Sequence, residues 1–250
     1  MTDHRFILGD SYKELSELPA NLVHGTVTSP PYFGKLDYGF KDQVGLEASL
    51  KGYLDRLEPV FGEVYRVTKP GGALLLNIGN TWNNISPVRG RLSETKETTF
   101  TGANRRKLQI GFREKEELPT TFLLAERLRG LGWLHRDTWI WSKGPGRPVN
   151  SDRPYQGHEY ILYLRKPDRP GRYRELHWYG SAIAGTVHTY KPVSHPVHPC
   201  PFPLEMAKDY IQAIVPANGT VLDPFAGIRT VAKAAYMTGR NSVSIDLKEW

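Results

Sequence analysis

Thr28-Ser29-Pro30-Pro31-Tyr32 places a hydroxyl, two consecutive prolines and an aromatic ring at the end of an apolar run, Leu22-Val23 to Val27, that reads as a buried strand. Each proline fixes its own φ at about −65° and holds the residue before it extended. The carbonyls around Ser29 and Pro30 therefore point in set directions, and Tyr32 supplies a flat face beside them. A fixed row of acceptors next to an aromatic plane suits a planar ring bearing an exocyclic amino group. The bland alternative is a proline-terminated strand followed by a turn through Gly34.

A second stretch, Val221-Leu222-Asp223-Pro224-Phe225-Ala226-Gly227, runs from a strand into a helix starting around Thr230. Strand, tight turn and helix make a nucleotide-type site, in which glycine lets the backbone approach a ligand and the helix N-terminus favours a carboxylate or phosphate. About 20 residues further on, the next strand ends in Asp246, an acid suited to ribose hydroxyls. No Gly-Lys-Ser/Thr phosphate loop is present, which argues against a nucleotide triphosphatase.

Other chemistry-bearing residues have competing readings. His195, His198 and Cys200 are metal-ligating types in close sequence, yet prolines at 196, 199 and 201 make the segment extended and no fourth ligand is evident. An irregular loop is preferred to zinc, so no metal is expected, and Cys200 reads as a small buried filler rather than a nucleophile. His158-Glu159 could be an acid-base pair, but a structural place at a strand entrance is preferred. Asp152-Arg153 reads as a local ion pair or as a clamp on a bound strand.

The elements that must position these residues alternate. Candidate strands are Arg5 to Leu8, Leu22 to Val27, Ala73 to Asn77, Leu134 to Trp141, Glu159 to Leu164, Thr220 to Leu222 and Ser242 to Ile245. Between them, Leu46, Leu50, Leu54, Leu57, Phe61 and Val64 share a helical face, although Pro59 should kink or divide that helix. Another helix enters through Pro119 and leaves near Gly130. Two more run from Leu204 to Val215 and from Thr230 to Met237. Strands alternating with helices imply crossovers and a mostly parallel sheet covered on both faces, an α/β fold. Two irregular segments interrupt the pattern, at about 81–117 and 165–190. The first carries Arg105-Arg106-Lys107. The second interleaves Arg165, Lys166, Arg169, Arg172 and Arg174 with Tyr173, His177, Trp178 and Tyr179, which suits phosphate contact with base stacking as well as it suits a solvated loop.

The 250 residues suffice for a single large domain, read as 1–250. Lys and Arg outnumber Asp and Glu by 33 to 26, for a net charge of +7 that favours a polyanionic partner, nucleic acid first. One cysteine rules out an intrachain disulfide framework. No secretory apolar region opens the sequence and no apolar run nears the roughly 18 residues of a membrane span. A cytoplasmic, nucleoid-associated protein is expected, with no membrane contact and with monomer or homodimer left open.

Taken together, Thr28 to Tyr32 and Asp223 to Gly227 resemble the motifs of the S-adenosylmethionine-dependent DNA amino-methyltransferases, in the beta group, where the catalytic motif precedes the cofactor motif. Further matches span the chain: Gly9-Asp10; Lys69-Pro70-Gly71-Gly72; Ile140-Trp141-Ser142-Lys143; Asp152-Arg153; His158-Glu159; and His198 to Pro203. Serine ahead of the proline pair resembles the cytosine-N4-specific branch. The resemblance implies a Rossmann-like fold with a seven-stranded sheet, one strand reversed, and the cofactor S-adenosyl-L-methionine. It implies that Ser29, Pro30, Pro31 and Tyr32 act on the base, in a restriction-modification or phage context. Asp223, Phe225, Gly227 and Thr230 would then shape the methionine end of the cofactor site, Asp246 would hold the ribose, and Asp10 and Phe202 would flank the adenine. DNA would be met by Lys143, Arg153, Arg169, Arg172 and Arg174. Adenine-N6 transfer and a catalytically silent DNA-binding relative stay open as alternatives. Ile228 and Arg229 stand where the family has a small residue and a glycine, so Arg229 either clashes with the cofactor, turns outward, or pairs with its carboxylate.

Overall fold

Short apolar, β-branched runs bounded by turn residues become strands, and amphipathic runs between them become the covering helices. The computed structural model describes residues 2–40, 43–84, 108–145, 153–168, 178–179, 183–195 and 201–250. In chain order the elements are β1 (His4–Leu8), α1 (Ser11–Ser16), β2 (Val23–Thr28), α2 (Leu50–Val67), β3 (Thr68–Ile78), β4 (Thr81–Trp82) and β5 (Glu117–Leu118). There follow α3 (Thr120–Gly130), β6 (Leu134–Ser142), β7 (His158–Arg165), β8 (Val187–Thr189), α4 (Leu204–Ile214), β9 (Thr220–Asp223), α5 (Thr230–Met237) and β10 (Asn241–Asp246).

The main sheet has the order β1-β10-β9-β2-β3-β7-β6-β8. Its pairings are parallel except at β7, which runs against both β3 and β6. All seven expected strands form. The eighth, β8, is a three-residue edge strand beside β6, inside the stretch expected to be irregular. In β3 the side chains alternate between two cores: Leu74 and Leu76 join the α1, α2 and α3 side, while Ala73 and Leu75 join the α4 and α5 side. Burial on both faces explains why this strand reads as a continuous apolar run.

Helix α2 continues unbroken through Pro59, against the expected kink. Pro59 lies on the exposed face while Leu57, Val60 and Phe61 on the other face are buried. The carbonyl of exposed Asp55, which loses its helical partner to the proline, can turn to water, and packing of the opposite face carries the helix on. Helix α1, only six residues long, is too short for its period to show in the sequence.

From β2 the chain crosses through α2 to β3 on one side, and from β9 it crosses through α5 to β10 on the other. The loops leaving the C-terminal ends of the adjacent strands β2 and β9 therefore part to opposite faces. Such a switch point opens a crevice above the strand ends, where ligands bind in open α/β sheets.

Candidate active site

That crevice is a cleft of about 240 Å³, and Ser29, Pro30, Pro31 and Tyr32 line it from the β2 side. Asp223, Phe225, Gly227, Thr230 and Asp246 line it from the β9 and β10 side, with Asp10 and Phe202 also on its wall. Strands β2 and β9 pair directly, Gly25 with Val221 and Thr26 with Leu222. At their ends the Thr28 hydroxyl donates to Asp223 Oδ1 at 2.7 Å, so the two sequence motifs are joined by a buried hydrogen bond.

The proline loop is held from below. The hydroxyl of the buried Tyr53 on α2 donates to the Pro31 carbonyl at 2.9 Å, and the Lys35 amide donates to the Tyr32 carbonyl at 3.2 Å. Gly45, at φ +103°, lies where a side-chain carbon would come within 3.1 Å of the Tyr32 carbonyl oxygen. Those two carbonyls are thus used inside the loop, while Ser29 and Pro30 sit at the cleft.

The Tyr32 hydroxyl donates to Glu159 Oε2 at 2.7 Å, and the Lys143 ammonium bonds the other oxygen of the same carboxylate. Lys35 stands 4.6 Å from the Tyr32 ring centroid. Burial by itself would raise the pKa of Glu159, but the Lys143 and Lys35 charges and the hydrogen bonds from Lys143 and Tyr32 outweigh it and hold the carboxyl below its ordinary range. Glu159 stands at the strand entrance, as the preferred sequence reading has it, and it also faces the cleft. His158 next to it packs edge-on against Tyr160.

The β9 and β10 side of the cleft has the opposite electrostatics. Burial pushes the Asp223 carboxyl up to about 7, against the lowering effect of hydrogen bonds from Thr28 and the Phe225 amide. Asp246 is also raised by burial, although the Gly227 amide reaches its Oδ2 at 2.7 Å, and the Lys248 amide and Trp250 indole reach its Oδ1 at 3.1 Å each. Gly227 takes a positive φ of 49°, the conformation that glycine adopts at low cost. Asp10 caps α1 by accepting from the Lys13 amide at 3.1 Å and lies 3.8 Å from the Arg56 guanidinium. Phe202 packs against the core under α4.

Of the three readings of Arg229, the structure takes the outward one. Its guanidinium lies 3.3 Å from the Glu249 carboxylate and 5.1 Å above the Phe6 ring. It contributes nothing to the cleft wall.

Among the residues expected to meet DNA, Lys143 lines the cleft and is engaged with Glu159. The Arg153 guanidinium lies 3.9 Å from the Trp82 ring centroid. Arg169, Arg172 and Arg174 fall outside the described residues, as do Arg105-Arg106-Lys107, Asp152, His198 and Cys200. Arg165 and Lys166 are corrected: Arg165 is the buried last residue of β7, and the Lys166 ammonium donates to the carbonyls of Tyr65 at 2.8 Å and Thr68 at 2.6 Å. Because β7 is reversed, its C-terminal end lies at the bottom of the sheet, away from the cleft. The expected insertion at 81–117 is anchored at both ends, where β4 pairs with β5 and the Asn83 amide donates to the carbonyls of Phe112 and Arg113. Among the described residues there is no cluster of three or more metal-ligating side chains. No helix there is long and apolar enough to cross a membrane.

The cleft combines carboxylates with apolar rings. An ionised carboxylate offers about four lone-pair positions. Asp246 meets four of the chain's own donors, the Gly227, Leu247 and Lys248 amides and the Trp250 indole. The half-buried rings of Phe202 and Phe225 provide apolar walls.

The family model described as DNA methylase, for N6 and N4 methyltransferases, matches residues 23–250. Type II methyltransferase M.Cfr9I of Citrobacter freundii is 32% identical over 96% of this chain and 82% of its own length. Type II methyltransferase M.SmaI of Serratia marcescens is 30% identical over 98% and 87%. Among solved structures, a Thermus thermophilus protein complexed with S-adenosyl-L-methionine superposes with a TM-score of 0.65 at 26% identity, covering 98% of this chain and 88% of that one. The cytosine-N4-specific PvuII DNA methyltransferase superposes with a TM-score of 0.71 at 17% identity, covering 99% and 83%, a likeness of fold.

Proposed function

Since the chain belongs to the DNA methylase family of N6 and N4 methyltransferases, we propose that it methylates the N4 amino group of cytosine within a site-specific, restriction-modification setting. It is an S-adenosyl-L-methionine-dependent enzyme and its substrate is DNA. The Type II methyltransferases that it resembles support the setting. The observation that carries the reading is the Thr28–Asp223 hydrogen bond, which joins the amino-binding loop to the cofactor loop at the ends of two paired strands. The finer choice of cytosine rests on Ser29, the residue type ahead of the proline pair.

When bound, the cofactor supplies an electrophilic sulfonium methyl. Everything else falls to the chain. A base paired in the duplex stack cannot present its amino group to the cleft, so it must be turned out, and Tyr32 offers the ring on which it stacks. Ser29 and the Pro30 carbonyl accept the amino hydrogens. This directs the weakly nucleophilic lone pair along one line, and the rate gain comes from orientation and fixed dipoles rather than from a covalent enzyme adduct. Asp223, Phe225, Gly227 and Thr230 shape the methionine end of the site, Asp246 holds the ribose, and Asp10 and Phe202 flank the adenine. Arg229 faces Glu249 rather than the cleft, which supports a loop open to cofactor, while Ile228 stays on the cleft wall. The segment around 81–117 and the part of 165–190 beyond Lys166, with Lys143 and Arg153, are the proposed DNA-facing parts of a single catalytic domain, and the excess of basic charge gives DNA affinity that declines with salt.

Incubating the protein with unmethylated DNA and methyl-labelled cofactor, then digesting to nucleosides, tests the reading. Label is expected in N4-methylcytosine. Label in N6-methyladenine overturns the cytosine assignment while leaving the enzyme class intact.

A further inference from the structure

Glu159 binds neither the amino group nor the cofactor in the proposed reaction, yet it lies in the same cleft. It is the second residue of the reversed strand β7, and reversal brings the start of this strand, not its end, level with the ends of β2, β3 and β6. Its side chain is only 12% exposed. One carboxylate oxygen receives the Tyr32 hydroxyl at 2.7 Å, and the other is bonded by Lys143, which follows β6. The loop after β2 and the facing ends of the consecutive strands β6 and β7 thus meet on one carboxylate.

Tyr32 is bounded on further sides. A side-chain carbon at Gly79 would come within 3.2 Å of Tyr32 Cε2, so glycine there leaves just enough room for the ring edge. The Lys35 ammonium lies over the ring at 4.6 Å. Stacking on a base uses only the aromatic plane, which phenylalanine also has. What the hydroxyl adds is an attachment that fixes the two torsions of the side chain and so the direction of that plane.

We propose that Glu159 is a positioning residue for the base-binding tyrosine: clamped by Lys143, its carboxylate holds the Tyr32 hydroxyl and sets the plane on which the target base stacks. The inference rests on the assignment of Tyr32 to the base. A preset ring spares the bound state the cost of ordering it, so the benefit falls on capture of DNA and not on the cofactor.

The test compares Glu159→Gln, Tyr32→Phe, their combination and Tyr32→Ala, with steady-state kinetics on unmethylated DNA and calorimetry with S-adenosyl-L-methionine. Glu159→Gln and Tyr32→Phe are each expected to lower kcat/KM for DNA by about tenfold, mainly through KM, and to leave cofactor affinity within about twofold. The combination should be no worse than either single change within about threefold, because Tyr32→Phe removes the contact that Glu159→Gln weakens by taking away the charge clamped by Lys143. Wild-type kinetics in Glu159→Gln, effects that multiply in the combination, or an equal loss of cofactor affinity would overturn the proposal. If Glu159→Gln alone does not fold, Glu159→Asp, which keeps the charge but draws the carboxylate back from the Tyr32 hydroxyl, reads the same non-additivity against Tyr32→Phe. Tyr32→Ala separates the two levels. Wild-type rates there remove tyrosine from the base site and Glu159 with it, whereas a loss there beside an unaffected Glu159→Gln overturns the positioning role alone.

Discussion

On the proposed cofactor side of the cleft, Asp223 and Asp246 are enclosed by strand ends and receive donors that are mostly uncharged main-chain amides, whereas on the proposed base side Glu159 is met by two ammonium groups. The same functional group is pushed toward its neutral form on one side and held ionised on the other. The contrast follows from how each side is built. Asp223 ends a central strand and is buried by the sheet itself, with hydrogen bonds that fix its position without supplying charge. Glu159 is buried where separate loops converge, and Lys143 and Lys35 compensate its charge. The cofactor side is therefore rigid through backbone geometry, and the base side through prolines plus a charged clamp that side-chain changes can undo.

The largest break in this comparison should come from Ser29→Ala. Loss of one fixed electrostatic partner of a reacting group costs about a hundredfold or more in rate. Calorimetry should find cofactor binding unchanged, since Ser29 belongs to the base side. An equal loss of cofactor affinity would mean that the two sides are not separable through the Thr28–Asp223 contact.

Asp223→Asn comes next. Both hydrogen bonds that Asp223 receives end on Oδ1, and an asparagine oxygen can accept both. In the native chain a carboxyl raised to about 7 from 3.8 binds its proton more tightly when folded. The folded state then holds more protons than the unfolded one between those values, so stability falls as pH rises through that window. The loss approaches a few kcal/mol in order of magnitude by about pH 8. Melting temperatures from about pH 5 to about pH 8 should decline more steeply for the native chain than for Asp223→Asn, in which the raised Asp246 still contributes. Parallel curves would show that burial does not hold this carboxyl neutral.

Glu159 has the reverse sign and a smaller effect. Its lowered pKa stabilises the fold above the ordinary carboxylate value of 4.5, and this contribution is lost as pH falls through the still lower folded value. Melting curves taken below pH 4.5 should therefore drop more steeply for the native chain than for Glu159→Gln. Equal slopes would remove the charged clamp from the base side.

These differences bear on what could be read in the sequence. Each of the two loops is a contiguous run whose residue types state its geometry: prolines that fix directions, a glycine at positive φ, an acid at a strand end. The seven central strands were legible for the same reason, as local runs. Glu159 was not, because its partner Tyr32 lies 127 residues away, and only the direction of β7 brings it to the cleft rather than to the opposite end. That direction also explains Arg165 and Lys166. As composition they belong to a basic, aromatic loop; as residues at the lower end of a reversed strand they are buried or bonded to carbonyls. Elements of three and six residues, β8 and α1, carry too few positions for a period to emerge.

The smallest expected effect concerns Arg229, where the cofactor loop departs from its family's glycine. The residue sits at φ 61° and ψ 36°, a left-handed conformation that costs a side-chain-bearing residue about 1–2 kcal/mol. Against this stand the greater unfolded-state freedom of glycine, about 0.4–1 kcal/mol, and the exposed Arg229–Glu249 pair, which contributes about 0–1 kcal/mol. Arg229→Gly should therefore raise stability by only about 0.5 kcal/mol, which chemical denaturation can resolve as a shifted midpoint with an unchanged slope. Because the guanidinium points to Glu249 and Phe6 and not into the cleft, affinity for S-adenosyl-L-methionine should change by no more than about threefold. A larger gain in affinity would mean that arginine narrows the cofactor loop through its backbone. A larger loss would mean that its side chain swings inward when the cofactor binds, and either result would replace the rigid cofactor side with one that adjusts to its ligand.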